Sequence, residues 1–408
     1  MTVSRGALKS GPEFDFNDRL FRANPYPTYK YMRETHPVCQ VKPDDMWAVS
    51  RASDVEYVLA HPELFSSAGI NLAYDSKWLK PECRVPRLVI AQDPPDHRQY
   101  RKIINGAFTS QAMQSMAPFM RSIANSLTPN LALDSPIDFV QHFAYPYIAE
   151  IMRDIVGLNE EQSLAEIKEW VELEEQITFK RPSTQFVEAY EGVTIRQHQY
   201  YLNVFEKRRQ NPKSDLVTEL VNAEIDNKKL SDRQLFGLMS LIMSAGFSTG
   251  VQMLNNGVIL LCRQPQLIAQ LAADLSLVPA FVEELLRFSP SGSCTMRNTT
   301  RAVEIAGVTI PQGEMVMALL ASANRDPQWF KDPDKFDLNR SDLKRHMTFG
   351  HGIHSCVGAA LARLELTIAF ETLVQAFLKF ECPPDDQLAW EKSFFVRGVS
   401  ELPVRFYK

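Results

Sequence analysis

Residues 231–264, SDRQLFGLMSLIMSAGFSTGVQMLNNGVILLCRQ, read as one long helix with apolar residues on most sides. Ser231 stands where a cap would accept hydrogen bonds from the first turn. A helix of this length and character dictates a mainly helical frame around it. The flanking sequence agrees: from about 96 to 285, helical patterns dominate. They include DHRQYRKIINGAF, SMAPFMRSIANSL, IAEIMRDIV, SLAEIKEWVELEEQ, IRQHQYYLNVFEKRR, DLVTELVNAE and LVPAFVEELLRF.

Strand patterns lie outside this block. PVCQV and MWAVS flank KPDD and predict a hairpin. AVEIAGVTIPQGEMVMAL alternates between Gly and Pro turns, and SFFVRGVSELPVRF predicts a C-terminal strand pair. Residues 61–95 read as a long loop with a short helix, a kind of segment that often carries function. No repeat, charge block or low-complexity linker divides the 408 residues. The expectation is one mainly α domain with small β-sheets over 1–408. Its β-containing N-terminal part covers about 25–65, and its helical core about 96–290 and 357–380.

Composition excludes several classes of function. Lys plus Arg total 44 against 49 Asp plus Glu, a net charge of −5, so nothing points to nucleic acid. The N-terminus, MTVSRGALKSGPEFDFNDRL, has no apolar core of signal-peptide length. FGLMSLIMSAGF at 236–247 is too short and interrupted to span a bilayer, so the chain reads as cytoplasmic without a membrane anchor. Six cysteines without a CxxC pair are not a disulfide framework and fit a reducing compartment.

One cysteine stands apart. FGHGIHSCVG, residues 349–358, sets Cys356 among three glycines and directly before the helical run AALARLELTIAFETLV. The start of a helix would favour a thiolate there. The glycines leave room for a large flat group against the backbone, and Phe349 could cover the sulfur. A shielded thiolate suits a haem iron, because it donates electron density that helps break an O–O bond. Two other readings remain at this point. The thiol could be a buried apolar residue. A zinc site from His346, His351, His354 and Cys356 can be drawn, although that spacing matches no common structural zinc site.

F-x-x-G-x-x-x-C-x-G, filled by Phe349, Gly352, Cys356 and Gly358, resembles the haem-binding signature of the cytochrome P450 family. Three further segments resemble that family in order and distance, and the resemblance covers nearly the whole chain. E-x-x-R in FVEELLRF gives Glu284 and Arg287, which share a helix face and which the family buries in a structural network. Glu283 is expected to be the solvated neighbour. DPPDHRQYRK gives His97 and Arg101, one turn apart. With Arg297 in CTMRN and His354, the resemblance makes them the partners of the haem propionates, cations and donors against two carboxylates. SAGFSTG in the long helix gives Ala245 and Gly246, a flat spot facing haem. It also gives Ser248 and Thr249, whose hydroxyls can bond back to carbonyls and bend a helix. The family usually places an acid before the threonine, and here it is Ser248. Gly350 completes the haem-contacting set.

The resemblance implies haem b held by Cys356, and insertion of one oxygen atom of dioxygen into an apolar small molecule by hydroxylation or epoxidation. The pathway would be secondary-metabolic or catabolic. Ser248 and Thr249 would serve the proton relay. Phe247, Ser293, Cys294, Phe395 and Val396 would line the substrate pocket, and TFKRPS (178–183) could meet an acidic substrate. Electrons would come from a ferredoxin or flavodoxin with an NAD(P)H-dependent reductase, because the chain carries no flavin or iron–sulfur module of its own. Arg98, Lys102, Lys344, Arg345 and Arg363 offer that partner a docking patch on a monomer. The missing acid leaves other chemistry open: peroxide-driven oxidation, oxidative coupling, nitric oxide chemistry or a haem sensor.

Overall fold

The computed structural model describes residues 14–42, 45–70, 78–86, 88–131, 135–157, 164–175, 182–213 and 215–408. The KPDD turn and the TFKRPS segment fall partly outside these residues, at 43–44 and 178–181.

Helices that position the site are α1 (Ala52–Ala60), α2 (Asp96–Ala107), α3 (Ala117–Leu127), α4 (Tyr145–Ile155), α5 (Leu164–Glu175), α6 (Thr184–Gln210), α7 (Asp232–Arg263), α8 (Val278–Phe288) and α9 (Ala359–Ala376). The long predicted helix is α7. Ser231 starts it through a reciprocal capping box: its Oγ accepts from the Gln234 N–H at 3.3 Å, and Gln234 Oε1 accepts from the Ser231 N–H at 2.8 Å. It ends before Pro265, where the residue ahead of a proline leaves the helical region. Most of its apolar stretch is buried within the protein, packed by α4, α5, α6 and α9.

Glycines on α7 set how closely the neighbours come. A Cβ on Gly257 would lie 2.1 Å from Phe370 Cζ of α9, and one on Gly246 would lie 2.7 Å from Met152 of α4. At both points the neighbouring side chain fills the space that a β-carbon would need.

Besides a short hairpin of Glu224–Ile225 with Lys228–Lys229, the strands among the described residues are β1 (Phe14–Asp15), β2 (Val38–Lys42), β3 (Met46–Val49), β4 (Phe65–Ser66), β5 (Ile137–Asp138), β6 (Thr295–Thr299), β7 (Val303–Ile305), β8 (Val308–Ile310), β9 (Met315–Ala318), β10 (Lys379–Glu381) and β11 (Pro403–Tyr407). The predicted β2–β3 hairpin forms, as does a β7–β8 hairpin. The N-terminal β part is not self-contained, however. Its strands join residues more than two hundred positions later in one six-stranded sheet of order β1-β2-β3-β9-β6-β4. β9 pairs parallel to β3, with Val316 opposite Trp47, and antiparallel to β6, with Val316 opposite Arg297. That register carries Arg297 towards the cysteine loop.

The predicted C-terminal strand pair is corrected. β11 pairs with β10 and β5, while SFFVRG stays a loop tied by isolated bridges, Gly292 to Val396 and Trp390 to Val399. Local alternation could not reveal partners so distant in sequence.

Candidate functional site

Phe349–Gly358 is shaped by its backbone. Gly350 and Gly352 take positive φ, 69° and 72°. A Cβ at Gly352 would stand 2.6 Å from the Leu59 carbonyl oxygen of α1, so only glycine lets the loop press on that helix. The Cys356 N–H donates to the Phe349 carbonyl at 2.7 Å and closes the loop. Gly358, not Cys356, caps α9, and its N–H donates to the Cys356 sulfur. Cys356 is exposed as a residue, while neighbouring protein encloses its sulfur. That enclosure pushes the thiol up, against the pull of Gly358, Arg101 and Arg363. The protein alone therefore does not deliver the thiolate expected from a helix start; a metal at the sulfur would displace the proton. The Phe349 ring lies under the Arg363 guanidinium at 4.6 Å.

Beside the sulfur four nitrogen-bearing side chains converge from separate segments. His97 and Arg101 come from α2, Arg297 from β6 and His354 from the cysteine loop. The His97 and His354 rings lie 4.3 Å apart. Both ring nitrogens of His97 are buried without a hydrogen-bond partner among the described residues. Burial, with Arg297, His97 and Arg101 nearby, holds His354 down to about 3. Burial also lowers Arg297 to about 10, opposed by Asp93. Concentrated positive charge and orphaned buried donors fit a dianionic group at this point. The loop behind them is braced by Asp93. Its carboxylate accepts from the Ser66 hydroxyl and from the Ser67 N–H at 2.8 Å, while Ser67 Oγ meets His354 Nε2 at 3.0 Å.

Glu284 and Arg287 of α8 form a fully buried bidentate pair, with both contacts at 2.7 Å. All five Arg287 N–H groups are used. Arg287 donates to the carbonyls of Asn324, Pro333 and Lys335, and Glu284 also accepts from Arg340 Nε at 3.1 Å and the Asp337 N–H at 3.0 Å. Glu283 is not the solvated neighbour expected from sequence. Arg363 of α9 grips it through two contacts of 2.7 Å, and His346 Nε2 lies 3.0 Å away. Burial pushes its carboxyl up, but the bonds from Arg363 and His346 outweigh that and hold it at about 2. This grip also withdraws Arg363 from the set of unengaged surface cations.

Two faces of α7 diverge at the SAGFSTG segment. Leu241, Ser244, Ala245 and Thr249 share the more accessible face, at spacings of three and four residues, and the Thr249 hydroxyl donates to the Ala245 carbonyl at 2.7 Å. Phe247 and Ser248 turn away from it. Phe247 is buried edge-on against Tyr145, ring centroids 4.8 Å apart. Phe247 and Ser248 line a second cleft with Lys168, Glu172 and Glu391. The structure thus separates Phe247 from the face that carries Ala245 and Thr249.

The cytochrome P450 family model matches residues 20–402. The chain is 34% identical over 401 residues to cytochrome P450 107B1 of Saccharopolyspora erythraea, covering 95% of this chain and 96% of that one. It is 32% identical over 408 residues to the vitamin D(3) 25-hydroxylase of Pseudonocardia autotrophica, with 96% of each covered. Cytochrome P450 CYP109Q5 from Chondromyces apiculatus superposes with a TM-score of 0.88 at 33% identity, over 97% of this chain and 98% of that one.

The chain belongs to the cytochrome P450 family. It is a P450 monooxygenase with the P450 fold, and haem b is its cofactor. The family acts on small molecules with dioxygen and an external electron donor.

On the remaining side of this P450, the structure brings four sequence-predicted residues together. The Ser293 N–H donates to the Phe395 carbonyl at 2.8 Å, Gly292 bridges Val396, and Cys294 Sγ donates to the Phe394 carbonyl at 3.9 Å. Phe394 and Phe395 stack with centroids 4.5 Å apart. The sequence reading missed Leu241 and Ser244, although helical spacing back from Ala245 and Thr249 would have found them. It missed Ser67 and Asp93, for which no local pattern exists. It also missed Glu365 of α9, a fully buried carboxyl whose Oε2 has no partner and whose other oxygen would stand 3.0 Å from a Cβ on Gly250. Burial pushes Glu365 up to about 8.

Proposed function

We propose that Cys356 is the protein ligand of the haem iron and that His97, Arg101, Arg297 and His354 hold the propionates. On this reading the P450 oxygenates an apolar small organic molecule by hydroxylation or epoxidation. The observation that carries it is the convergence of those five side chains, from three separated segments, around one sulfur. The charge of Arg101 and Arg297 complements two carboxylates, and the His97 N–H, buried without a partner among the described residues, gains an acceptor.

Bound haem supplies dioxygen activation. The chain's own residues supply the rest. Gly350 and Gly352 let the loop lie close and present the sulfur. Leu241, Ser244 and Ala245 offer a small-residue and apolar face of α7 that, with Ser293, Cys294, Phe395 and Val396, would make a lining suited to an apolar substrate with few polar handles. Thr249 holds a proton at Oγ, donated to the Ala245 carbonyl at rest. Released from that carbonyl, the hydroxyl donates to a distal acceptor and accepts from water behind it. Ser248 is not acidic near neutral pH, so it orders water rather than supplying protons.

Electrons come from a ferredoxin or flavodoxin with an NAD(P)H-dependent reductase. Arg98, Lys102, Lys344 and Arg345, all exposed, suit an acidic partner. The protein works as a cytoplasmic monomer in a secondary-metabolic or catabolic pathway. A ligand screen by haem spin-state shift, followed by product analysis with ferredoxin and reductase, tests the reading. Oxygenated products of apolar ligands support it; no spin-state response and no oxygenated product overturn it. Ser248 in place of an acid favours one second reading, oxidation driven by peroxide, which equal turnover on added peroxide alone would establish.

A further inference from the structure

Cys262 closes α7, and Cys382 follows β10 on the strand that packs against that helix. They lie 120 positions apart in sequence, yet the side chain of Arg263, the residue next to Cys262, reaches the Cys382 sulfur, and the two thiols interact with each other. Both are half-buried, so small solutes can reach them. Arg263 clamps the same spot. Its Nη1 donates to the Cys382 sulfur at 3.4 Å and to the Cys382 carbonyl at 3.3 Å. Its other nitrogens hold the Pro383 carbonyl and the Asp385 carboxylate, the latter at 2.9 and 3.1 Å.

We propose that Cys262 and Cys382 are a peroxide-oxidisable dithiol that closes to a disulfide between the end of α7 and the exit of β10. The Arg263 Nη1–H group that donates to the Cys382 sulfur at 3.4 Å stabilises a thiolate there. Cys382 is therefore the attacking thiolate and Cys262 the resolving thiol. Cys39, Cys83 and Cys294 differ. Burial pushes Cys39 up to about 12 and Cys83 up to about 11, and raises Cys294 as well, and none of these has a thiol partner.

The oxidant is hydrogen peroxide, which a monooxygenase releases when electron use and product formation come apart. The Cys382 thiolate attacks one peroxide oxygen. An S–O bond forms, the O–O bond breaks, and hydroxide leaves to be protonated by solvent, so the sulfur loses two electrons to the peroxide. Cys262 then gives up its proton and attacks the Cys382 sulfur. The S–S bond forms, the S–O bond breaks, and a second hydroxide leaves as water with that proton. Two thiols and one peroxide become one disulfide and two waters, and a dithiol reductant reverses the change. Arg263 ties the 382–385 segment to the end of α7, so the two cysteines are carried on segments already held together.

The test is peptide mapping of the full-length haem-loaded protein after brief exposure to hydrogen peroxide, with alkylation before digestion. The expected result is a Cys262–Cys382 cross-linked peptide that dithiothreitol removes, while Cys39 and Cys83 remain alkylated. In Cys262→Ser, Cys382 should be captured as a sulfenic acid by a 1,3-dione probe; in Cys382→Ser, Cys262 should stay reduced. The proposal is overturned if both thiols remain alkylated in wild type at peroxide levels that oxidise an added model thiol. It is equally overturned if Cys382 over-oxidises in wild type without cross-linking, or if either thiol pairs with another cysteine.

Discussion

Glu365 places an acid where its charged form has no support. It is 3% exposed, its Oε2 has no hydrogen-bond partner, and no cation pairs with it among the described residues. Burial moves the carboxyl from the ordinary 4.5 to about 8. The folded state therefore holds a proton there that the unfolded chain releases. The sign follows: the favourable contribution is complete below pH 4.5 and is lost as pH rises towards about 8. Each pH unit across that window is worth about 1.4 kcal/mol, so the full loss is about 5 kcal/mol, of which about 3 falls between roughly pH 6 and pH 9. Glu365→Gln keeps the shape and removes the titration. Denaturant unfolding of wild type and variant at these two pH values measures the difference. The variant should gain about 3 kcal/mol on wild type as pH rises. Parallel pH dependence in the two proteins would mean that the carboxyl is solvated or paired, and the reasoning from burial would fail.

Breaking the Glu284–Arg287 pair with Glu284→Ala should cost about 3–5 kcal/mol, because Arg287 and Arg340 lose a buried counter-charge, and the variant should accumulate with little haem; normal yield with full haem content would contradict this. Glu283→Gln should weaken the protein near neutral pH by about 3 kcal/mol, and because the folded carboxyl sits low, this difference should fade as pH falls from about 4.5 towards 2 in urea titrations. Thr249→Ala should leave haem content and folding unchanged while releasing peroxide, so that product per NAD(P)H consumed falls; Ser248→Ala should be milder, and full coupling in Thr249→Ala would remove Thr249 from the relay.

Much of this protein was legible because its signals are local. The Ser231 cap, the helical periodicity of α7 and the glycine spacing around Cys356 each sit within one segment, so short-range sterics and hydrogen bonding write them directly into the sequence. Glu284 and Arg287 were legible as an i, i+3 pair, but Arg340, which completes their network, lies fifty-six positions from Glu284 and left no trace. Glu283 was misjudged for the same reason. Its solvation was inferred from its own helix, whereas Arg363 and His346 reach it from elements folded against that helix. Phe247 reads from its sequence neighbours as a pocket residue, yet two residues on from Ala245 it lies on another face of α7, buried against Tyr145. SFFVRG reads as a strand by alternation, yet it stays a loop because β11 finds its partners at β10 and β5.

The central claim is that Cys356 alone of the six cysteines ligates the haem iron. The direct measurement is the absorption spectrum of the reduced carbon monoxide complex, for wild type and for Cys356→Ser, with Cys294→Ser, from the proposed substrate lining, as a comparison. Wild type and Cys294→Ser should show the spectrum of a thiolate-ligated haem, and Cys356→Ser should lose it. A thiolate-type spectrum that survives in Cys356→Ser would contradict it.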